Sequence, residues 1–236
     1  MIRWANPTGG LVWHVRAWRS LAAWQPTMHT LQDWWMEHSP RADRLVIVGA
    51  SAGWMMSSLW LRQFKSVETW DIDPWARWLF ARRHGQALSA AGTAWVHHLA
   101  DPWSDARAWE PQHAETLYWF DNVLGQLRFM GTHAEAGARI RQVRERLHST
   151  RWGSVHDRYS GALSGNQALP PSWPSAAGVD LTSMRGQTWL QSWGAEGDWL
   201  DHLTSGVFAP GTPVLNLAWA FKPDFGHWLE MGWQLP

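Results

Sequence analysis

The sequence predicts a mixed α/β fold, with three layers built on a mostly parallel sheet that finishes in a C-terminal antiparallel hairpin. Strand-like and helix-like segments alternate from residue 44 to 156, the pattern of a parallel sheet with helical crossovers. The first strand, Leu45-Val46-Ile47-Val48, is an uninterrupted apolar run of the kind buried on both faces. Near the end, apolar runs at 214–221 and 227–233 flank Lys222-Pro223-Asp224-Phe225-Gly226, which reads as a hairpin.

Ahead of the first strand lie N-terminal helices. Residues 11–23 form an amphipathic pattern with Leu11, Val15, Trp18 and Leu21 on one stripe. Pro26 interrupts it, and a second helix is expected from a Thr27 cap to His38, where Ser39-Pro40 stops it. This lead-in would cover a sheet edge or cap a ligand cleft. After the first strand comes Gly49-Ala50-Ser51-Ala52-Gly53, then a helix pattern from about Trp54 to Phe64. The second strand, 67–70, ends at Asp71, and Pro74 opens a helix running to about His84. Strands at 94–99 and 116–120 end at Asp101 and at Asp121-Asn122. Thr132 and Glu135 form a capping box for a helix to about Leu147, and a fifth strand spans 152–156. Residues 160–178 are rich in Gly, Ser, Pro and Ala and read as a long loop, with a short helix near 199–203. One domain is expected over 1–236: a helical lead-in to 43, a ligand-binding half at 44–157, and a lid or substrate loop with the hairpin at 158–236.

Composition excludes several chemistries. There are 20 Lys plus Arg and 20 Asp plus Glu, so no net charge draws the chain to nucleic acid or an anionic membrane. The basic cluster Arg77, Arg82, Arg83 and His84 reads as the solvated face of one helix. With no cysteine, disulfides, thiolate metal sites and cysteine nucleophiles are absent. No run of 18 apolar residues and no apolar leader core occur, so a cytoplasmic protein without a membrane span is expected. The 23 tryptophans are read as packing. His97 and His98 are adjacent, and His113, His133 and His156 lack ligand spacing, so no metal site is expected.

The chemistry-bearing pattern is a strand, a small-residue loop, a helix, and then an acid at the next strand tip. Gly49 and Gly53 allow a tight turn and close ligand approach. Asp71 follows Gly49 by 22 positions, where a carboxylate can accept both hydroxyls of a ribose. Asp101, at the third tip, can meet an adenine amino group.

These segments, LVIVGASAGW, VETWDIDPWARWLFARRH, WVHHLAD and LYWFDNVLGQL, resemble the first four motifs of the Rossmann-type (class I) S-adenosylmethionine-dependent methyltransferases. The resemblance covers about 44–157 and implies a Rossmann-like fold, S-adenosylmethionine as cofactor, and methyl transfer to an acceptor, which we expect to be a small molecule rather than nucleic acid. It further implies that Gly49, Ala50, Ser51 and Gly53 line the methionine and ribose, Asp71 holds the ribose, Ile72 packs on adenine and Asp101 binds its amino group. Asp121 and Asn122 would face the reactive methyl. Two positions depart from the family: Ile47 stands where an acid is usual, and Ser51 replaces the middle glycine.

On the acceptor side, His156 with Asp157 could remove a proton, and Arg158 with Tyr159 could hold the substrate. Two alternatives stay open. One is a Rossmann-like nucleotide binder without methyl transfer. The other is a serine hydrolase, because Gly49-Ala50-Ser51-Ala52-Gly53 spells G-x-S-x-G; Asp157 or Asp201 with His202 or His227 would complete its triad. The oligomeric state is open.

Overall fold

The computed structural model describes residues 10–109, 115–165 and 168–236; His113 lies outside them. The chain forms two compact units, one ending at Asp121 and the other beginning at Asn122. The half expected at 44–157 is thus divided, its first four strands in one unit and its fifth in the other.

The first unit contains α1 (Gly10–His38), β1 (Arg44–Val48), α2 (Ser58–Leu61), β2 (Ser66–Asp71), α3 (Ala76–Ala90), β3 (Ala94–Leu99), a 3-10 turn (Ala106–Trp109) and β4 (Thr116–Asp121). All its strand pairs are parallel, in the order β3-β2-β1-β4. That is the strand order of the first half of a doubly wound sheet, a class of fold in which ligands lie beyond the strands' carboxyl ends. Val48 sits beside Trp70 and Phe120 in register. The next residue on each strand, Gly49, Asp71 and Asp121, therefore falls at one edge.

The N-terminal lead-in is a single helix. α1 runs through Pro26 where a break was expected. An interior proline costs about 3 kcal/mol. Against this, Trp35 stacks on Trp60 at 4.7 Å, and Trp119 meets both edge-on at 5.4 and 5.7 Å. Each fully buried aromatic contributes roughly 1.5–3 kcal/mol, so this cluster outweighs the lost backbone bond. The buried face is also different from the expected one. His14, Ala17 and Trp24 point inward, while Leu11, Val15 and Trp18 are exposed, Trp18 at 66 %. Hydrogen bonds at His14, which accepts from the Trp54 indole and pairs with Asp73, fix the helix's rotation against the apolar stripe.

The helix expected from Trp54 to Phe64 contracts to one turn, α2, capped by Ser57, whose side chain accepts from the Leu59 N–H. Ahead of it, the Trp54 indole donates to His14 on α1 and the Met56 N–H donates to Gly53 O at 3.1 Å. The basic cluster is not wholly solvated. Arg83 lies over the Trp54 ring at 4.5 Å and His84 is buried.

The second unit contains α4 (Val123–Gln126), a 3-10 turn (Leu127–Phe129), α5 (His133–Arg146), β5 (Arg151–Leu163), β6 (Trp173–Ala176), α6 (Met184–Ser192), β7 (Ala195–Asp201), β8 (Pro213–Lys222) and β9 (Phe225–Gln234). Here the pairing is antiparallel, in the order β5-β9-β8-β6, with β7 on β5. The C-terminal hairpin is present as expected, β8 against β9. Both bonds of the Thr132/Glu135 capping box form at the start of α5.

Two expectations change. The loop at 160–178 is partly strand: β5 continues to Leu163, and β6 is an edge strand, where Pro174 is tolerated. The short helix near 199–203 is the end of β7 followed by a turn. Hairpin and neighbours enclose Tyr159, Leu163, Trp173, Trp189, Trp193 and Trp228. Several indoles lie close against glycines. A Cβ on Gly161 would come within 2.5 Å of Trp199, and one on Gly226 would collide with Trp193. No described helix is long and apolar enough to cross a membrane.

Candidate functional site

In the first unit the loop after β1 takes up left-handed backbone at Gly49 (φ 76°), Ser51 (φ 47°) and Gly53 (φ 63°). Glycine accepts this freely, whereas a serine there carries strain of about 1 kcal/mol or more. The strain is held by two contacts. The Ser51 N–H donates to Asp71 Oδ2 at 2.6 Å, and the Trp13 indole N–H donates to Ser51 Oγ at 3.3 Å. Gly53 cannot be enlarged, since a Cβ would stand 2.6 Å from His84 Nε2. His84 links Gly53 O, at 3.1 Å, to Ser58 Oγ, at 2.7 Å, and burial pushes it down to about 4, so it stays neutral.

Asp71 also accepts the Asp73 N–H at 2.8 Å. Each carboxylate oxygen keeps a further lone pair, enough to accept two ligand hydroxyls. Burial pushes Asp71 up to about 6, against the two backbone bonds that favour its charge. Asp121 is pushed up to about 7, by burial first and then by the charge of Asp71, with Trp119 opposing. Two desolvated carboxylates thus stand on either side of Gly49. Ile47, at the position of the missing acid, is fully buried in the sheet. Ile72 is 58 % exposed beside Asp71, a free apolar face. Asp101 closes its own turn: one oxygen accepts the Trp103 N–H at 2.9 Å, and the other has no partner among the described residues.

Around this loop lies a network that sequence reasoning missed. The Trp54 indole donates to His14 Nδ1 at 2.9 Å, and this fixes the proton on Nε2, which meets Asp73 Oδ2 at 3.0 Å. Asp73 also accepts from the Gly10 and Trp75 N–H groups. Although burial works against it, these bonds hold Asp73 below the usual carboxylate range. In sequence, Asp73 before Pro74 resembles any helix cap, and His14 lies 59 residues away, so no spacing joins them.

In the second unit Asn122 adopts φ 55° and brackets Asp157. Its Nδ2 donates to Asp157 Oδ2 at 3.0 Å, and its Oδ1 accepts the Asp157 N–H at 2.9 Å. The pairing of His156 with Asp157 does not form. Neighbours on a strand point to opposite faces, and His156 is buried 3.3 Å from Glu230. Arg158 shares Glu230 at 3.3 Å and donates to Val179 O, while Tyr159 packs on Trp228 and its OH accepts the Leu181 N–H. Both are buried in the second unit's core. Asp157 turns instead to His227, whose Nδ1 donates to Oδ1 at 2.8 Å. Burial opposes its charge, yet His227, His202 and Asn122 hold Asp157 below the usual range.

Asp157, His202 and His227 offer ligand atoms that all lie within 4.8 Å of one another, a set able in principle to hold a metal ion. His202, however, has both ring nitrogens engaged, Nδ1 on Gly125 O at 2.9 Å and Nε2 on Ser160 Oγ at 2.9 Å. Asp201 serves a turn, accepting the Leu203 N–H at 2.7 Å. Of the triad candidates, Ser51 Oγ in the first unit accepts from the Trp13 indole N–H, and in the second unit Asp157 does pair with His227.

No protein-family model matches the chain, and no curated protein does. Solved structures with a similar course include an O-methyltransferase family protein from Burkholderia thailandensis, 15 % identical over 92 % of this chain with a TM-score of 0.48. The chain spans 57 % of that protein's length. They also include the glycopeptide N-methyltransferase MtfA complexed with S-adenosylmethionine, 11 % identical over 89 % of this chain and 94 % of that one, TM-score 0.44. A third is the N-methyltransferase NodS from Bradyrhizobium japonicum with S-adenosylhomocysteine, 11 % identical over 92 % and 98 %, TM-score 0.44. The first unit, by its own geometry, presents a left-handed loop between two desolvated carboxylates.

Proposed function

We propose that the chain is an S-adenosylmethionine-dependent methyltransferase acting on a small-molecule acceptor. The observation that carries this reading is the placement of Asp71 and Asp121 at the tips of the two strands beside β1, on either side of the left-handed loop at Gly49, where burial raises both carboxyls. A buried carboxyl pair is relieved by a cation and aggravated by an anion. S-adenosylmethionine brings a sulfonium and an ammonium but no phosphate, whereas a dinucleotide brings a pyrophosphate. Dinucleotide folds also aim a helix N-terminus from the glycine loop at that pyrophosphate. Here α2 begins only at Ser58 and has four residues.

In this reading Asp71 accepts the ribose hydroxyls, Ile72 covers a face of the adenine, and the free oxygen of Asp101 is available to its amino group. Gly49, Ala50, Ser51 and Gly53 supply backbone close to the methionine portion. Asp121 takes over the charge that Ile47 lacks, facing the cationic end of the ligand. When bound, the cofactor supplies an electrophilic methyl group. What remains to the protein is alignment, exclusion of water and acceptance of any acceptor proton.

Thermal shift with S-adenosylhomocysteine, S-adenosylmethionine and NAD tests the reading. The adenosyl ligands should raise the melting temperature by several degrees, NAD should not, and Asp71→Ala should remove the shift. A shift with NAD alone would replace this reading with that of a dinucleotide-binding protein.

A further inference from the structure

The second unit brings three metal-type ligands together from separate elements: Asp157 on β5, His202 just after β7 and His227 on β9. An imidazole nitrogen stands at each carboxylate oxygen, His227 Nδ1 2.8 Å from Oδ1 and His202 Nδ1 3.9 Å from Oδ2. One ligand atom from each residue lies within 4.8 Å of the other two. Ligands of one zinc ion, at bonds of about 2.0–2.2 Å, stand roughly 3–3.5 Å apart, so shifts of about 1 Å complete the set. The neighbourhood holds these groups in place. Asn122 Nδ2 donates to Asp157 Oδ2 at 3.0 Å, and Thr204 Oγ1 donates to Asp157 O at 2.8 Å. Asn122 and Leu203, next to the cluster, carry left-handed backbone at φ 55° and 62°, a strain that persists where the surroundings fix it and gathers at functional sites. Gly125 lets α4 lie against β5, since a Cβ there would stand 2.9 Å from the Asp157 N. Rings shield the group: Trp219 and Phe225 at 5.0 and 5.5 Å from His227, Phe129 at 5.5 Å from His202. Of the three side chains only that of His227 reaches the surface appreciably, at 13 % exposure against 5 % and 3 %.

We propose that Asp157, His202 and His227 bind one divalent transition-metal ion, with zinc as the type case. Two imidazoles and a carboxylate suit such an ion better than magnesium or calcium, which take oxygen ligands. Three protein ligands leave a fourth position for water or a ligand oxygen, and the His227 side is where solvent reaches the group. The ion enters by exchange of bonds. His202 Nδ1 gives up Gly125 O, and His227 Nδ1 gives up its direct bond to Asp157. In each neutral ring the proton then sits on Nε2. That of His202 donates to Ser160 Oγ, already 2.9 Å away, the outer bond that orients a ligating histidine. Asn122 does the same for the carboxylate. The residue spacing hides this set, because the three ligands lie far apart in the chain and meet only where β7 and β9 pair with β5.

The test uses the full chain, free of any histidine tag, treated with a chelator and without adenosyl ligand. Zinc is titrated by calorimetry, and cobalt serves as the spectroscopic probe. One zinc per chain with micromolar or tighter affinity is expected, and cobalt should give a saturable visible band. His227→Gln and Asp157→Asn should each weaken zinc binding by at least about a hundredfold, the upper end of what a merely supporting residue costs, and should bleach the cobalt band. His98→Gln, in the first unit beside Glu68, should leave both signals unchanged. Asp157→Asn keeps the shape of the side chain and carries the test should His227→Gln fail to fold, as judged by circular dichroism. The proposal is overturned if zinc does not bind one to one, if either ligand variant binds it as tightly as the parent, or if His98→Gln weakens it equally. It does not rest on the methyltransferase reading. Zinc binding without adenosyl binding would remove that reading alone, and adenosyl binding without zinc binding would remove this one alone.

Discussion

At the scale of single residues, charge held out of water decides most of what the first unit does. Asp121, pushed up to about 7, binds its proton more tightly folded than unfolded. The stability it contributes is full below the ordinary carboxylate pKa near 4 and is lost as pH rises through 7. Asp121→Asn should therefore stabilise the ligand-free protein by about 2–4 kcal/mol at pH 8 and by almost nothing at pH 4, measured by urea denaturation at the two pH values. A pH-independent difference would show that burial of this carboxyl is not what raises it. Gly53 is constrained twice, by φ 63° and by His84. Gly53→Ala should cost about 2–4 kcal/mol, read as a fall in the denaturation midpoint, and His84→Ala in the same chain should recover part of it.

At the scale of elements, the strands were legible and the helix faces were not. β1 to β4 and the hairpin announce themselves because an apolar run and a period of two need no knowledge of partners. α1 misleads because its inward face holds His14 and Thr27 and its outward face holds Leu11, Val15 and Trp18. The inward choice is set by Trp54 and Asp73, which the local sequence does not show. The antiparallel second unit hides its rule in glycine–indole pairs. Gly226 leaves room for Trp193, so Gly226→Ala should destabilise by about 2–3 kcal/mol. A double-mutant cycle with Trp193→Phe should return at least 1 kcal/mol of that loss, and strict additivity would show that the ring is not what limits the site.

At the scale of the whole molecule, each unit brings together one group of polar residues from separate elements. The proposed cofactor residues Gly49, Ser51, Gly53 and Asp71, and Asp121, which the sequence placed opposite the methyl group, were readable because they punctuate strand ends in order. On the acceptor side the sequence offered Asp157 but attached it to His156, since adjacency in the chain says nothing about opposite faces of a strand. Its actual partner, His227, lies 70 residues on and meets it only through the pairing of β5 with β9. The two groups should be separable: His227→Gln should leave S-adenosylhomocysteine affinity within about twofold, measured by calorimetry.

The most direct test of the central claim is the affinity for S-adenosylmethionine, measured by calorimetry at pH 8 and pH 6. If Asp71 accepts the ribose hydroxyls and Asp121 faces the cation, both must be ionised on binding, and affinity should fall about tenfold or more at the lower pH. S-adenosylhomocysteine, without the sulfonium, should show a smaller fall. Absence of binding at pH 8, or an affinity equal at both pH values, would contradict the account.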